Sequence, residues 1–544
     1  MILTDLTVDI PESHRVPKDA PATPPKARWG TLEFRTYIAV ACVMIPVMTW
    51  IPISLSLESH PNYKFYERRL SPGWIPFRKV DNSDAQYRSF RNNFWLLTTL
   101  ATAYLSIKYL WKRLGTAPPQ DNTYLIRYNL FFSVFFLLGL HGTSFFKILI
   151  ILSLNYSIAR FCGDRKIGPV LTWVFNAAVL FANDRFNGYR YGDLLPSLEV
   201  LDGYQGAYSR WHIVYNLTML RLVSFNIDYY WACNTSTSKE VMFSYHQRMF
   251  PHPPQMYTFL SYLSYALYPP LYLAGPIMTF NDYLWQHRQS MNISGCAKVL
   301  YCIRLIASVL TMELILHFMY VVAIKDTSAW DSATPAQISM IGFWNLIIVW
   351  LKLLIPWRFF RLWALMDGIE VPENMVRCMA NNYSTLGFWR SWHRSYNLWI
   401  IRYIYIPLGG SKHVLLNMLL VFTFVALWHD LTFRLLAWGW LVSLFVVPEV
   451  LAMYLLPASK YGSEPWYRHV CAAGGVLNVL MMMSANLVGF VVGTDGVGFF
   501  VQQLFGTGKG LAFLAVACAV LFVGVQLMFE YREEEKRKGI YRRC

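Results

Sequence analysis

Long apolar runs recur from one end of this chain to the other, at about 37–57, 93–110, 124–141, 144–159, 168–183, 256–280, 298–324, 337–356, 414–428, 433–456, 467–492 and 510–529. About 20 apolar residues wound as a helix cross the ~30 Å hydrocarbon core of a bilayer. In lipid every backbone N–H and C=O must be paired within the protein, so only helices and closed barrels span it. These runs are continuous rather than alternating, which selects helices. The expected fold is an all-α polytopic membrane protein of roughly 10–13 transmembrane or re-entrant helices. Several runs are short or broken by proline, such as the one near 398–408 that ends at Pro407. Segments of that kind persist in a membrane only where they line a protein-enclosed cavity, so an internal chamber is expected.

Three regions follow. Residues 1–34 are polar and carry Pro11, Pro17, Pro21, Pro24 and Pro25; this reads as a disordered tail. It lacks the apolar core of a signal peptide. Residues 35–530 form the multi-helix membrane domain. Residues 531–544 form a basic tail with Arg532, Lys536, Arg537, Lys538, Arg542 and Arg543, which the positive-inside rule places in the cytosol. The linker Glu58–Arg91 is basic, and its Ser71–Pro76 stretch reads as an interfacial turn. Residues 184–211 read as a polar loop or re-entrant segment, and Trp211–Trp231 as an amphipathic helix. A short amphipathic piece is expected at Arg361–Met366. No internal repeat of the kind many transporters show is visible.

Only 15% of residues are charged and 55% are hydrophobic, against about 25% charged in soluble domains. The formal net charge of +16 sits in short loops beside apolar runs, where cations set topology and meet anionic lipid headgroups; it does not indicate nucleic acid. The nine cysteines show no C-x-x-C pair, so neither a metal site nor a disulfide framework is expected. The chain's last residue, Cys544, has no following residues and so does not fit a prenylation motif.

Two histidines stand out. His429 closes the apolar run that begins at Val414, about 22 Å along a helix, so its imidazole lies within the membrane slab or at its edge. Ionisable groups at that depth are usually functional, though a histidine bonded to a helix carbonyl is an ordinary structural alternative. His393 lies in Phe388-Trp389-Arg390-Ser391-Trp392-His393-Arg394-Ser395-Tyr396-Asn397, a segment that also suits an interfacial anchor. Two histidines on converging segments around a chamber suit acyl transfer. One takes the proton of an acceptor hydroxyl while the other supports substrate or oxyanion. No G-x-S-x-G or similar nucleophile signature is present, which favours direct attack over a covalent intermediate.

The order Phe388-Trp389-Arg390-x-Trp392-His393, then Arg402-Tyr403-x-Tyr405-Ile406-Pro407-Leu408-Gly409-Gly410, then Trp428-His429, resembles the membrane-bound O-acyltransferase (MBOAT) family. So do Leu222–Tyr230 and Tyr268-Pro269-Pro270-Leu271-Tyr272-Leu273-Ala274-Gly275-Pro276-Ile277. The resemblance spans about residues 90–530. It implies the MBOAT fold, with His429 as the catalytic base and His393 as its partner. Trp389, Arg390, Trp392, Asn397, Arg402 and Trp428 are the expected substrate-binding residues. Arg78–Asp84, Leu351–Pro372 and Glu533–Arg537 are similar to the family's fungal glycerol-uptake branch, relatives of hedgehog acyltransferase. That branch implies an endoplasmic-reticulum enzyme. It would move a long acyl chain from acyl-CoA to the sn-2 hydroxyl of a lyso-GPI lipid or a GPI-anchored protein, with acyl-CoA as co-substrate and no resident cofactor or metal. His393 stands where hedgehog acyltransferase has an acidic residue, which argues against protein N-palmitoylation.

Other polar residues in apolar runs have plainer readings beside the functional one. Glu313 and His317, four apart on one helix, form either a proton relay or a hydrogen-bonded pair inside the bundle. Arg221, Asn226 and Asp228 grip a headgroup or close a loop. Lys352 and Arg358, like Arg390, Arg394 and Arg402, are candidates for the CoA phosphates. The rival from another class is a polyol or glycerol transporter.

Overall fold

In a computed structural model of the protein, residues 26–114, 123–234, 248–289, 291–330, 332–487, 498 and 501–542 are described. The chain is a bundle of helices: α1 (Leu32–Leu55), α2 (Ala85–Leu114), α3 (Leu125–His141), α4 (Ser144–Cys162), α5 (Ile167–Arg185), α6 (Trp211–Asn234), α7 (Gly295–Phe318), α8 (Pro335–Met366), α9 (Thr385–Ser391), α10 (Arg394–Ile400), α11 (Val414–His429), α12 (Phe433–Leu455), α13 (Tyr467–Asn486) and α14 (Gly508–Arg537). Among the described residues nine helices are long and apolar enough to cross a membrane, and α3 is a shorter apolar helix. The only strands among them are β1 (Leu70–Pro72) and β2 (Lys79–Asp81), an antiparallel hairpin.

The centre of the bundle is α6, buried along nearly its whole length from Val214 to Tyr229. It is an interior helix rather than one with a polar face to water. Its polar side chains therefore have to find protein partners. The Arg221 guanidinium donates to the carbonyls of Ala266 (2.8 Å) and Leu271. Asn226 donates to Asn155 and Thr172 on α4 and α5. Asp228 accepts from Arg402 (3.0 Å), Tyr403 (3.0 Å) and the Asn281 amide (3.3 Å). All three residues close the bundle on itself. They do not present a headgroup grip.

The carbonyls that Arg221 holds belong to the region 256–280, expected as one apolar run. It is instead two short helices, Phe259–Ala266 and Pro269–Tyr272, and a third, Phe280–Arg288, starts where the region ends. Pro270 has no N–H to donate to the Ala266 carbonyl one turn back, and Arg221 donates there instead. Pro356 acts differently: α8 runs through it to Met366, so Arg361–Met366 is not a separate helix.

Glu313 and His317 are a structural bolt. The Glu313 carboxylate accepts from Tyr87 (2.8 Å) and Trp74 (2.9 Å) and lies 3.3 Å from Arg91. His317 donates from Nδ1 to the Glu313 carbonyl and accepts the Trp74 amide at Nε2. Trp74 lies in the loop between β1 and β2 and is held against α7 by these contacts. The Ser71–Pro76 stretch is thus a docked turn.

The chain ends differ from the expected tails. Residues 1–25 and 543–544 lie outside the described residues. The helix α14 continues past residue 530 to Arg537. Glu535 on it pairs with Arg377 (2.8 Å) and Arg542 (3.3 Å), and Arg532 donates to Asn381. Glu530 accepts the Arg28 amide (3.0 Å). Residues 26–31 and 531–542 are joined to the helical domain by these bonds, with Glu530 taking the Arg28 amide and Glu535 the Arg377 guanidinium.

Breaking a buried charge pair by removing one partner costs about 3–5 kcal/mol. Asp228→Ala should therefore lower the thermal midpoint of the detergent-solubilised protein. The double variant Asp228→Leu/Arg402→Met should recover much of the loss.

Candidate active site

The histidine-bearing segment is assembled from its anchors. Ser384 caps α9 by accepting the Gly387 amide (2.9 Å). Glu449 of α12 accepts the amides of Thr385 (2.8 Å) and Leu386 (3.2 Å), placing a carboxylate at the positive end of the helix. Beyond α9 the chain pairs with residues 374–376: Trp392 bridges to Met375, the Val376 amide donates to Ser391, and Asn374 accepts the amides of Arg394 (3.0 Å) and Ser395 (3.1 Å). Between these ties His393 is forced left-handed, at φ 48° and ψ 48°. A non-glycine residue held there carries ~1–3 kcal/mol of strain, and such strain clusters at functional sites.

From His393 the chain runs through α10 and a π-helical turn (Ile401–Tyr405) to a reversal at Gly409 and Gly410. Their φ values of 94° and 59° are ones that only glycine adopts readily. Asn417 closes the reversal by donating to the carbonyls of Leu408 (3.3 Å) and Gly410 (2.8 Å). The helix α11 then returns and ends at His429, after which the backbone of Asp430 is extended.

The two histidines meet at one cavity of about 590 Å³. Its walls include Val214, Asn216 and Leu217 of α6, Leu346, Lys352 and Trp357 of α8, then Trp389, Trp392, His393, Tyr396 and Asn397, and Phe422, Val425, Trp428, His429 and Trp438. His429 has accessible surface and lines this cavity. A row of rings holds the arrangement: Trp357 stacks on His393 at 4.4 Å, His393 lies 5.0 Å from Tyr396, and Tyr396 stacks on Trp428 at 4.5 Å. Trp428 is tied to α6 twice. Its indole N–H donates to the Asn216 carbonyl (2.8 Å), and the Asn216 side chain donates to the Trp428 carbonyl (3.0 Å). The residue next in the chain is His429.

Three polar atoms of cavity-lining residues are buried without a hydrogen-bond partner among the described residues: His393 Nε2, the Tyr396 hydroxyl and the Trp389 indole nitrogen. Leaving such groups unpaired costs about 1–3 kcal/mol each, and a bound substrate would satisfy them. Burial, with a smaller contribution from His429, pulls the His393 pKa down to about 3, so this imidazole is neutral. Among the described residues the cavity lining includes no serine, threonine or cysteine.

The model of the MBOAT, membrane-bound O-acyltransferase family, matches residues 199–494, a span that contains both histidines and the helices around them. The chain is 46% identical to the membrane-bound O-acyltransferase GUP1 of Saccharomyces cerevisiae, over 97% of its own length and 96% of that protein. The chain belongs to the membrane-bound O-acyltransferase family. A second GUP1 O-acyltransferase, from Candida tropicalis, is also 46% identical, over 96% of this chain and 90% of that protein. The mouse protein-cysteine N-palmitoyltransferase HHAT is 31% identical over 34% of this chain and 39% of that protein.

In this MBOAT chain the expected site residues divide. Trp389, Trp392, His393, Asn397, Trp428 and His429 share the cavity. Arg390 is exposed and outside its lining. Arg402 is also outside, taken up by Asp228 and the Met249 carbonyl (2.9 Å) and lying over Trp231. It stands as a counter-charge for α6. Lys352 lines the cavity but pairs with Asp84 (2.8 Å), and Arg358 is engaged by Ser308 and Glu373.

Sequence reasoning missed Trp357, Tyr396 and Asn216. Asn216, a lone amide near the start of an otherwise apolar stretch, was the available signal. Trp357 and Tyr396 look like any aromatic residue in a chain that is 17% aromatic. Removing the ring that His393 stacks on should misplace the imidazole, and small displacements can cost about 10²-fold in rate. Trp357→Leu should therefore lower kcat by about 10–100-fold in an acyl-transfer assay at equal protein level, whereas Arg390→Ala should leave kcat unchanged.

Proposed function

We propose that this enzyme transfers a long acyl chain from acyl-CoA to the sn-2 hydroxyl of a lyso-GPI lipid, free or attached to protein. It would do so in the endoplasmic-reticulum membrane, with its C-terminus in the cytosol. The observation that carries the chemistry is the cavity itself: two histidines face an apolar chamber without a side-chain nucleophile among its described lining. The acceptor hydroxyl must then attack the thioester directly. His429 takes the hydroxyl proton as the new C–O bond forms. The carbonyl oxygen becomes an oxyanion, met by N–H or O–H donors from His393, Tyr396 and Trp389, the groups without protein partners. Collapse of the intermediate breaks the C–S bond, and the departing CoA sulfur receives the proton from His429.

The apolar walls suit an acyl chain, and the neutrality of His393 removes the cost of a buried cation. Near full-length similarity to proteins named O-acyltransferases, against a partial match to a protein-cysteine N-palmitoyltransferase, favours a hydroxyl acceptor over a protein amine. No observation favours a transport role.

Purified protein given labelled acyl-CoA and a lyso-GPI lipid should yield a diacylated lipid by mass analysis. His429→Ala should abolish the product at unchanged protein level; retained transfer would sink the assignment of the base. If the tyrosine hydroxyl steadies the oxyanion, Tyr396→Phe should lower kcat by about 10²–10³-fold and leave the KM for acyl-CoA near its wild-type value.

A further inference from the structure

A second cavity, of about 620 Å³, lies beside the first and is polar. Its wall is the expected loop 184–211, which is packed rather than loose. The chain lies back along the turn between α3 and α4: the amides of Ala207 and Tyr208 donate to the carbonyls of Gly139 (3.0 Å) and Leu140 (2.7 Å), and the Thr143 amide donates to Tyr204 (3.1 Å). Asp202 accepts the amides of Tyr191 and Gly192, both at 2.9 Å. Lys147 donates to the Tyr189 carbonyl (2.7 Å) and sits 3.9 Å from Asp202. The cavity is therefore built before any ligand arrives, and its volume falls within the ~300–1,000 Å³ usual for small-molecule sites.

Its chemistry is specific. With Lys147 and Asp202 offsetting one another, the remaining charges are Asp193 and Glu199 against Arg190. That balance disfavours an anion and suits a neutral or amine-bearing ligand. Carboxylates accept from hydroxyls, Asn187 and Gln205 both donate and accept, and the exposed ring of Tyr204 offers a flat apolar face. Hydroxyls around an otherwise apolar ring are what such a lining fits, which is a sugar.

Placement supplies the second argument. Ser209 and Trp211 line this cavity, while Tyr208, Ile213 and Val214 line the histidine chamber. The segment 208–214 is a shared partition, and Asn216, just beyond it, fixes Trp428 beside His429. Along the outer rim, Phe186, Leu194, Leu195 and Val200 are 64%, 64%, 56% and 72% exposed, an apolar fringe suited to the edge of a bilayer. An amphiphile lying across the partition would have its apolar body in the chamber and its headgroup in the polar cavity.

We propose that the polar cavity binds a neutral or amine-bearing sugar in the headgroup of the acceptor lipid, which sets the acceptor hydroxyl beside His429. The assignment of the ligand as a lipid headgroup rests on the lipid acyltransferase reading above. The test uses the full chain in nanodiscs, labelled acyl-CoA, and two acceptors: lysophosphatidylinositol and its glucosaminyl derivative. Wild-type protein should have the lower KM for the sugar-bearing acceptor. Glu199→Gln combined with Tyr204→Ala should raise that KM about tenfold or more relative to its effect on the bare lysolipid. Equal shifts on both acceptors, or none, would overturn the proposal. A second arm measures binding of tail-free, phosphate-free glucosaminyl-inositol by calorimetry. Binding by the wild type that the double variant loses supports the cavity as a sugar site even if neither lipid is acylated, in which case the acyl-transfer reading alone fails. Acylation of both lipids with equal KM and no binding of the tail-free headgroup removes the sugar site and leaves the acyl-transfer reading standing.

Discussion

The pairing of polar groups on α6 is the constraint on which the rest of the structure depends. A helix buried among others has no water to satisfy its side chains, and an unpaired charge there is far costlier than a hydrogen-bonded one. Arg221, Asn226 and Asp228 each reach a different part of the chain: the proline-broken segment after residue 266, the α4–α5 pair, and the stretch after α10. One helix thereby sets the positions of three regions far apart in sequence. Tyr403, which donates to Asp228, belongs to the same segment that carries His393. The charge network and the site are mechanically one unit.

The site also shows how a polar function is kept inside an apolar bundle. His393 is held left-handed by backbone ties to residues 374–376 and steadied by the ring of Trp357. His429 is held by its place at the end of α11, with Trp428 fastened to Asn216. None of these supports is itself a candidate acid or base. They matter because an imidazole acts on a proton only within hydrogen-bond reach, and rigid aromatic packing gives that precision at small entropic cost.

The two cavities differ in the way the two ends of an amphiphile differ. One is walled mainly by tryptophan and aliphatic side chains, and the other carries carboxylates, amides, hydroxyls and charged side chains. About one turn of helix at the start of α6, with the residues just before it, separates them. The bundle thus offers contrasting solvents to either side of a thin wall, close to the histidine that ends α11.

Much of this was legible from residues alone. The apolar runs required a helical membrane protein, because lipid allows a backbone few alternatives. Pro407 marked a break between the two histidine segments, and a histidine closing an apolar run was conspicuous by its cost. What stayed hidden was partnership. Arg402 and Asp228 are distant in sequence, so nothing in the order of residues shows that one neutralises the other and leaves the chamber. Glu313 and His317 fitted either a relay or a pair inside the bundle, and only Trp74, from a remote hairpin, decides for the structural role by occupying both. The sequence determined what this chain had to bury, and it carried the histidines. Only the tertiary structure decided which polar groups satisfy one another and which were left facing a cavity, because hydrogen bonds and charge pairs between distant segments exist only once the helices have packed.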